Sequence, residues 1–91
     1  MDFEWDAEKA QKNIEKHGVR FEIASAVFVD PDRITAIDDR FDYGEERLVT
    51  LGRTHDGILV VVTTGRDEGQ IIRIISARKA NKRERRTYAD S

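Results

Sequence analysis

Three arginines lie where strands of the predicted sheet begin or end. Arg66 ends the predicted central strand, Arg73 opens the next strand, and Arg78 lies where that strand meets the last helix. The planar guanidinium group of arginine can donate two parallel hydrogen bonds to phosphate oxygens. These three side chains could therefore converge on one phosphate group. The alternative is that each forms a surface or hinge salt bridge with one of the many neighbouring acids.

A strongly basic segment follows at the end of the chain. The stretch RIISARKANKRERRTY, residues 73–88, contains seven cations and one acid, Glu84. The net charge of −2 conceals a balance of −6 over residues 1–64 and +4 over residues 65–91. A basic surface attracts polyanions through counterion release, and nucleic acid is the commonest polyanion in a cell. A solvated helix whose charges serve solubility is the alternative.

Groups that could transfer a proton are fewer. His17, Tyr88 and Glu84 are the candidates for a general acid or base, and imidazole ordinarily titrates nearest to neutral pH. His17 also ends a predicted helix, in the sequence KHG, where a histidine can favour the helix dipole. Tyr88 could instead pack the last helix against the sheet. The candidate catalytic residues are thus Arg66, Arg73, Arg78, Tyr88 and His17.

Other residues with possible chemistry are given structural interpretations. Trp5 could stack on a base, but we expect it to pack in the core. His55 lies in a predicted hairpin turn and should face solvent. The two histidines are distant in sequence and no His-x-Glu pattern is present, so we predict neither a metal site nor a cofactor.

Two helices are predicted ahead of the sheet. The first covers residues 6–17, with Asp6 as its N-cap and Gly18 ending it at a positive φ. Its apolar face is formed by residues three to four apart: Phe3, Ala7, Ala10 and Ile14. The second covers residues 20–29, RFEIASAVFV, and ends before Pro31, which disfavours helix in the residue before it.

The apolar period then changes to two, which predicts four strands. They cover residues 34–38, 47–53, 58–64 and 70–76, and the third is apolar enough to be buried on both faces. The connections are short and include an Asp56-Gly57 hairpin turn, so the sheet should be an antiparallel meander. A final basic helix is predicted from Ala77 to about Ala89, burying little apolar surface. The predicted class is α+β.

Length and composition narrow the possibilities further. The chain has 91 residues, which suits a single domain over residues 1–91, and it contains no cysteine. No apolar run approaches the length that spans a bilayer, and the N-terminus MDFEWDAEK does not resemble a secretory signal. We therefore expect a cytoplasmic protein.

Four segments together resemble the BrnT family of toxins. They are FEWDAEKAQKNIEKHGVRFEIASAVFVDP at residues 3–31, GEERLVTLG at 44–52, VVVTTGR at 60–66 and RIISARKANKRERRTY at 73–88. The resemblance covers nearly the whole chain in the expected order. The combination of KHGVxF with RIISAR is more specific than either piece alone.

The resemblance implies a RelE-like fold, metal-independent RNA cleavage that arrests growth, and neutralisation by the antitoxin BrnA. It also implies that operator DNA is contacted only through the antitoxin. Such an enzyme must hold a phosphate, help a 2′-OH lose its proton and neutralise charge on the phosphorus oxygens. The remaining cations are then expected to follow the RNA backbone or to contact an acidic antitoxin segment: Lys79, Lys82, Arg83, Arg85 and Arg86.

Two other functions fit the same residues. One is a nucleic-acid-binding module without catalysis, for example a protein that represses transcription with a partner. The other is an interaction protein whose basic helix docks on an acidic partner. Asp67 and Glu68 adjoin Arg66 and could pair with it and weaken the site, or simply lie on the turn.

Overall fold

A five-stranded mixed sheet carries the helices of the protein. The structure is a computed structural model, and it describes residues 1–40, 42–66 and 69–91, with the side chain of Arg66 outside the description. The strands are β1 (Asp2–Glu4), β2 (Ile34–Ile37), β3 (Leu48–Thr54), β4 (Gly57–Arg66) and β5 (Ile71–Lys79). The helices are α1 (Ala7–His17), α2 (Phe21–Ala24), a 3-10 helix (Ser25–Val29) and α3 (Lys82–Ala89).

The strand order is β1-β5-β4-β3-β2, with β1 parallel to β5 and the other neighbours antiparallel. One face of the sheet packs against α1, α2 and the 3-10 helix. That core joins residues before β2 to residues of β4 and β5: Val19, Phe21, Ala24, Val27, Leu59, Val61, Ile74 and Ala77. The predicted α+β class is confirmed, while the likeness to RelE stays a prediction.

The sequence predicts four antiparallel strands, but the sheet has a fifth strand, β1, which is parallel to β5. Phe3 was assigned to the apolar face of the first helix, but it lies in β1 and pairs with Ile72. Three residues are too few to show a period of two. Their partner strand also lies about seventy positions further along the chain, so nothing local signals the parallel pairing.

Helix α1 begins and ends where the sequence predicts. Asp6 caps it, with Oδ1 accepting a hydrogen bond from the backbone N–H of Glu8 at 2.8 Å. Gly18 ends it at φ 69°, a conformation that favours glycine. Trp5 precedes the helix and packs edge-on against Phe21, with ring centroids 5.9 Å apart. The predicted core position of Trp5 is confirmed.

The second predicted helix is α-helical for one turn only. Its bounds are nearly right, but the chain tightens into a 3-10 helix from Ser25 onward. The Ser25 hydroxyl donates to the carbonyl of Glu22 at 2.8 Å, which competes with regular helical bonding. The tighter turn lays Val27 on the sheet at Gly52, where an added Cβ would lie 2.6 Å from the Cβ of Val27.

The C-terminal helix begins later than predicted. Strand β5 continues through Lys79, because β4 is long enough to pair with Arg78 and Lys79 through Val60 and Leu59. Helix α3 starts only at Lys82, after an N-cap at Asn81. Arg78 and Lys79 therefore project from a strand, and the predicted basic helix loses those two cations.

Strand β4 and the turn before it match their predictions. Leu59, Val60 and Val61 are all buried, as expected for a strand covered on both faces. His55 is exposed in the turn between β3 and β4, and Gly57 follows it at φ 98°. Within the described ranges, no helix is both long and apolar enough to cross a lipid bilayer.

Candidate active site

The sheet face opposite the core forms the floor of a groove of about 530 Å³. Val60, Val62 and Val49 give this floor an apolar surface, and Val60 is only 4% exposed. The walls come from four parts of the chain: the end of α1, the segment after β2, the end of β5 and the start of α3. Their ionisable side chains are Lys16, His17, Asp38, Asp39, Arg40, Arg78 and Glu84.

Arg78 is held in this groove by Glu84. The Arg78 Nη1 and Nη2 atoms donate to the two carboxylate oxygens of Glu84 at 2.7 and 2.8 Å. These hydrogen bonds raise the pKa of Arg78 and lower the pKa of Glu84, so both groups stay charged. Because the Arg78 side chain is 40% exposed, a groove ligand can reach it.

Glu84 is itself fixed by the start of α3. Its Oε1 accepts a hydrogen bond from the backbone N–H of Asn81 at 2.8 Å, and the Asn81 side chain accepts one from the N–H of Glu84. This reciprocal capping box satisfies amides at the helix start and leaves Glu84 little rotational freedom. The orientation of Arg78 thus depends on the first turn of α3.

A second guanidinium pair forms the opposite wall. Arg40 Nε and Nη2 donate to the two carboxylate oxygens of Asp38 at 2.8 and 3.0 Å. Those bonds are the main cause that lowers the pKa of Asp38 to about 2, and hydrogen bonds from the Arg40 backbone and the Tyr43 hydroxyl lower it further. The charge of Arg40 acts to lower the pKa of Arg78, which indicates that the two cations lie near each other.

Asn13 attaches α1 to the edge of β5. Its amide Nδ2 donates to the carbonyls of Val19 and Ala77 at 2.9 and 2.8 Å, and its Oδ1 accepts from the N–H of Ala77 at 3.1 Å. The side chain thereby makes with Ala77 the pair of bonds that a neighbouring strand would make. His17 lies one turn further along the same face of α1, so this anchor places its imidazole at the groove.

Among models of protein families, the one described as "Ribonuclease toxin, BrnT, of type II toxin-antitoxin system" matches residues 5–84. The chain belongs to the BrnT family. A comparison with curated proteins found no match. The residues matched to BrnT include every groove residue from Lys16 to Glu84, and they end before Tyr88.

The three arginines that the sequence places in a BrnT active site are not all brought together. Arg78 lines the groove, but Arg73 precedes it by five positions on β5, which corresponds to roughly 16 Å along a strand. Arg73 Nη1 lies 3.4 Å from Glu4 Oε2 on β1. Arg66 ends β4 as predicted, while its side chain, Asp67 and Glu68 lie outside the described residues.

Tyr88 is placed away from the groove. It is 7% exposed, and its hydroxyl donates to Asp30 Oδ2 at 2.5 Å. That hydrogen bond, with burial, raises the pKa of Tyr88, so the phenol stays protonated. The same Asp30 oxygen accepts the backbone N–H of Arg53 at 2.7 Å, and the Arg53 guanidinium carbon lies 5.5 Å from the centre of the Tyr88 ring. This is the packing arrangement that the sequence left open.

The other basic residues near the end of the chain do not line the groove. Arg85 Nη1 donates to the backbone carbonyl of Ala80 at 2.8 Å, which ties that cation to the connection between β5 and α3. The remaining four are exposed and are not among the residues that line the groove: Lys79, Lys82, Arg83 and Arg86. Their predicted contacts with RNA or an antitoxin stay predictions.

Some groove residues of this BrnT chain were missed from sequence. Asp38 was assigned to the end of the first predicted strand and Arg40 was given no role, although an acid two positions before an arginine at a strand end is a visible pattern. Asn81-x-x-Glu84 is also a recognisable helix start. Asp30, the partner of Tyr88, lies 58 positions away and carries no local signal.

Proposed function

We propose that this chain is an endoribonuclease toxin that cleaves mRNA in the groove between Arg78 and His17. The observation that carries the proposal is the position of Arg78. Its guanidinium group is held by the two hydrogen bonds that it donates to Glu84 and remains accessible on an apolar floor. Membership of a ribonuclease toxin family supports the choice of RNA as substrate.

Arg78 is proposed to bind the scissile phosphate. A guanidinium group has five N–H donors, and Glu84 engages one from each terminal nitrogen. Donors therefore remain for phosphate oxygens, while the carboxylate keeps the plane of the group fixed. As charge builds on the phosphorus oxygens, a cation that is already oriented stabilises it without reorganisation.

The proposed reaction needs one proton acceptor and one proton donor. The ribose 2′-oxygen forms a bond to phosphorus, the bond from phosphorus to the 5′-oxygen breaks, and the products carry a 2′,3′-cyclic phosphate and a 5′-OH. His17 takes the 2′-OH proton, since imidazole suits general base catalysis near neutral pH. The leaving 5′-oxygen is protonated by solvent or by the imidazolium. Groove side chains and solvent can carry both proton transfers, so we propose that cleavage needs no metal.

The apolar floor suits the rest of the nucleotide. Val49, Val60 and Val62 offer an apolar surface against which a ribose or base can pack. Such contacts do not distinguish strongly among bases. In the cell, we propose that cleavage of mRNA arrests growth and that a BrnA-like antitoxin neutralises the chain. Operator DNA would then be contacted only through that antitoxin.

The proposal is tested by producing the protein alone in a bacterial host and by assaying purified protein on RNA. We expect growth arrest and new RNA ends bearing a 5′-OH, with a cleavage rate unaffected by a metal chelator. Replacing Arg78 by alanine should lower kcat by about 10²–10³, as is typical when a transition-state donor is removed. Arg83→Ala is the matched control, because Arg83 is an exposed cation of α3 that does not line the groove.

Two results would contradict the proposal. Equal losses in Arg78→Ala and Arg83→Ala would mean that overall charge, not the groove, governs cleavage. Normal growth and intact RNA with well-folded wild-type protein would favour nucleic-acid binding without catalysis. Circular dichroism and thermal melting of each variant confirm that the comparison is made between folded proteins.

A further inference from the structure

The groove offers RNA little net attraction. Among the described residues that line it, three cations face three acids: Lys16, Arg40 and Arg78 against Asp38, Asp39 and Glu84. Two of those cations are already bonded to carboxylates. Since binding of RNA draws mainly on phosphate contacts with unpaired cations, the strand needs a second point of attachment outside the groove.

A shallow depression of about 200 Å³ between α1 and β5 adjoins the groove. It shares Lys16, His17 and Ser76 with the groove, so the two surfaces are continuous. Lys9 and Lys12 extend it along α1, and none of the described residues that line it is acidic. Its charge therefore differs in kind from that of the groove.

The lysines of this depression form an ordered strip. Lys9, Lys12 and Lys16 are three and four positions apart, which places them on one side of α1 over about 10 Å. All three are exposed. Lys12 Nζ lies 3.9 Å from Glu8 Oε1, but both side chains are more than 70% exposed, so this pair costs little to break.

The strip is also held rigidly. Asn13 lies within it and fixes α1 to Ala77 of β5 by two hydrogen bonds. The lysine stems therefore extend from a helix that is bonded to the strand beside the groove. A backbone of phosphates laid along the strip would enter the groove at His17.

We infer that Lys9, Lys12 and Lys16 form a subsite for the RNA backbone that leads single-stranded RNA into the groove. This inference rests on the proposed function and adds the path of the substrate. The cations of α3, which are more numerous, are not part of that path. The contacts are to phosphates, so the subsite strengthens binding without selecting sequence.

The test compares two pairs of substitutions with the same change of charge. Lys9→Gln with Lys12→Gln alters the strip outside the groove, and Lys82→Gln with Arg83→Gln is the control on α3. The probe is a 2′-O-methyl oligonucleotide of about 12 nucleotides, a typical site length for single strands, which lacks the 2′-OH nucleophile. Fluorescence anisotropy gives its Kd between low and moderate salt.

We expect the strip variant to flatten the plot of log K against log salt by about 1.4, since each single-strand phosphate contact contributes about 0.7. The α3 control variant should change this slope by less than about 0.7, the contribution of one phosphate contact. On a short RNA that fills only the groove, kcat of the strip variant should equal that of wild type.

Each other outcome has a definite meaning. If wild type cleaves RNA and both variants weaken binding equally, or the α3 variant weakens it more, the inference is overturned and the proposed function stands. If wild type neither cleaves nor binds RNA, the proposed function fails and the inference with it. Loss of kcat on the short RNA in the strip variant would also overturn the inference, because the effect would then lie in the groove.

Discussion

Helices α1 and α3 both carry cations, yet they meet the rest of the molecule in different ways. Helix α1 is anchored from its middle by the buried Asn13, and its lysines extend over open surface. Helix α3 is anchored at its ends. Glu84 in its first turn bonds Arg78, and Tyr88 in its last turn bonds Asp30.

The two helices differ in how their charged side chains are used. The acid of α3 and one of its arginines are engaged in internal hydrogen bonds, so α3 contributes orientation to the groove through Glu84. The strip on α1 contributes exposed cations, of which Lys12 makes a solvent-exposed pair with Glu8. The sequence places more basic residues on α3, whereas the structure places the lysines of α1 on a surface that is continuous with the groove.

The anchors of the two helices should differ most in their contribution to stability. Replacing Asn13 by alanine removes its bonds to two backbone carbonyls and leaves the buried N–H of Ala77 without that partner. We expect a loss of about 3 kcal/mol in the free energy of unfolding, because unsatisfied buried groups cost about 1–3 kcal/mol each. Urea denaturation measures it.

Asn81→Ala is the matched control on α3. It removes an exposed N-cap, which typically costs about 1 kcal/mol. An equal or larger loss for Asn81→Ala would mean that α1 is not the more firmly anchored helix.

A smaller effect is expected from Glu84→Gln, and it should appear in kinetics. Glutamine can still complete the capping box, so α3 should remain folded. Arg78 loses a charged partner that fixes its plane, and we expect kcat to fall by about tenfold, or 1.4 kcal/mol in the barrier. The groove also loses a negative charge, so KM for RNA should decrease. A rise in KM with unchanged kcat would contradict the orienting role of Glu84.

The smallest effect on turnover is expected from Tyr88→Phe. The variant loses the hydrogen bond to Asp30 at the far end of α3, so the Tm should fall. The kcat should fall by less than tenfold, whereas loss of a general acid or base costs about 10²–10⁴. Thermal melting and single-turnover cleavage separate the two roles. A large loss of kcat with an unchanged Tm would restore Tyr88 as a catalytic residue.

The sequence predicted best what neighbouring residues determine. The caps at Asp6 and Gly18 and the apolar run of β4 depend on residues a few positions apart, and all were placed correctly. The convergence of Arg73 with Arg78 was not confirmed, because both lie on one extended strand. Whether β5 would continue to Lys79 depended on the length of its partner β4, which a pattern of apolar residues does not give.

The candidate site was harder to predict than the fold for a related reason. Arg78 and His17 were among the candidates chosen from sequence, and both line the groove. Their supports were missed, since Asn13 meets Ala77 across 64 positions of sequence and Tyr88 meets Asp30 across 58. Side-chain hydrogen bonds over such separations follow from the packing of the whole sheet.

The parallel pairing of β1 with β5 also affects when the protein can fold during translation. The first strand finds its partner about seventy positions later, and the groove draws on residues from 16 to 84. Long-range pairing of this kind slows folding, because a large loop must close before any contact is gained. A chain still being synthesised therefore has no groove until residue 84 has left the ribosome.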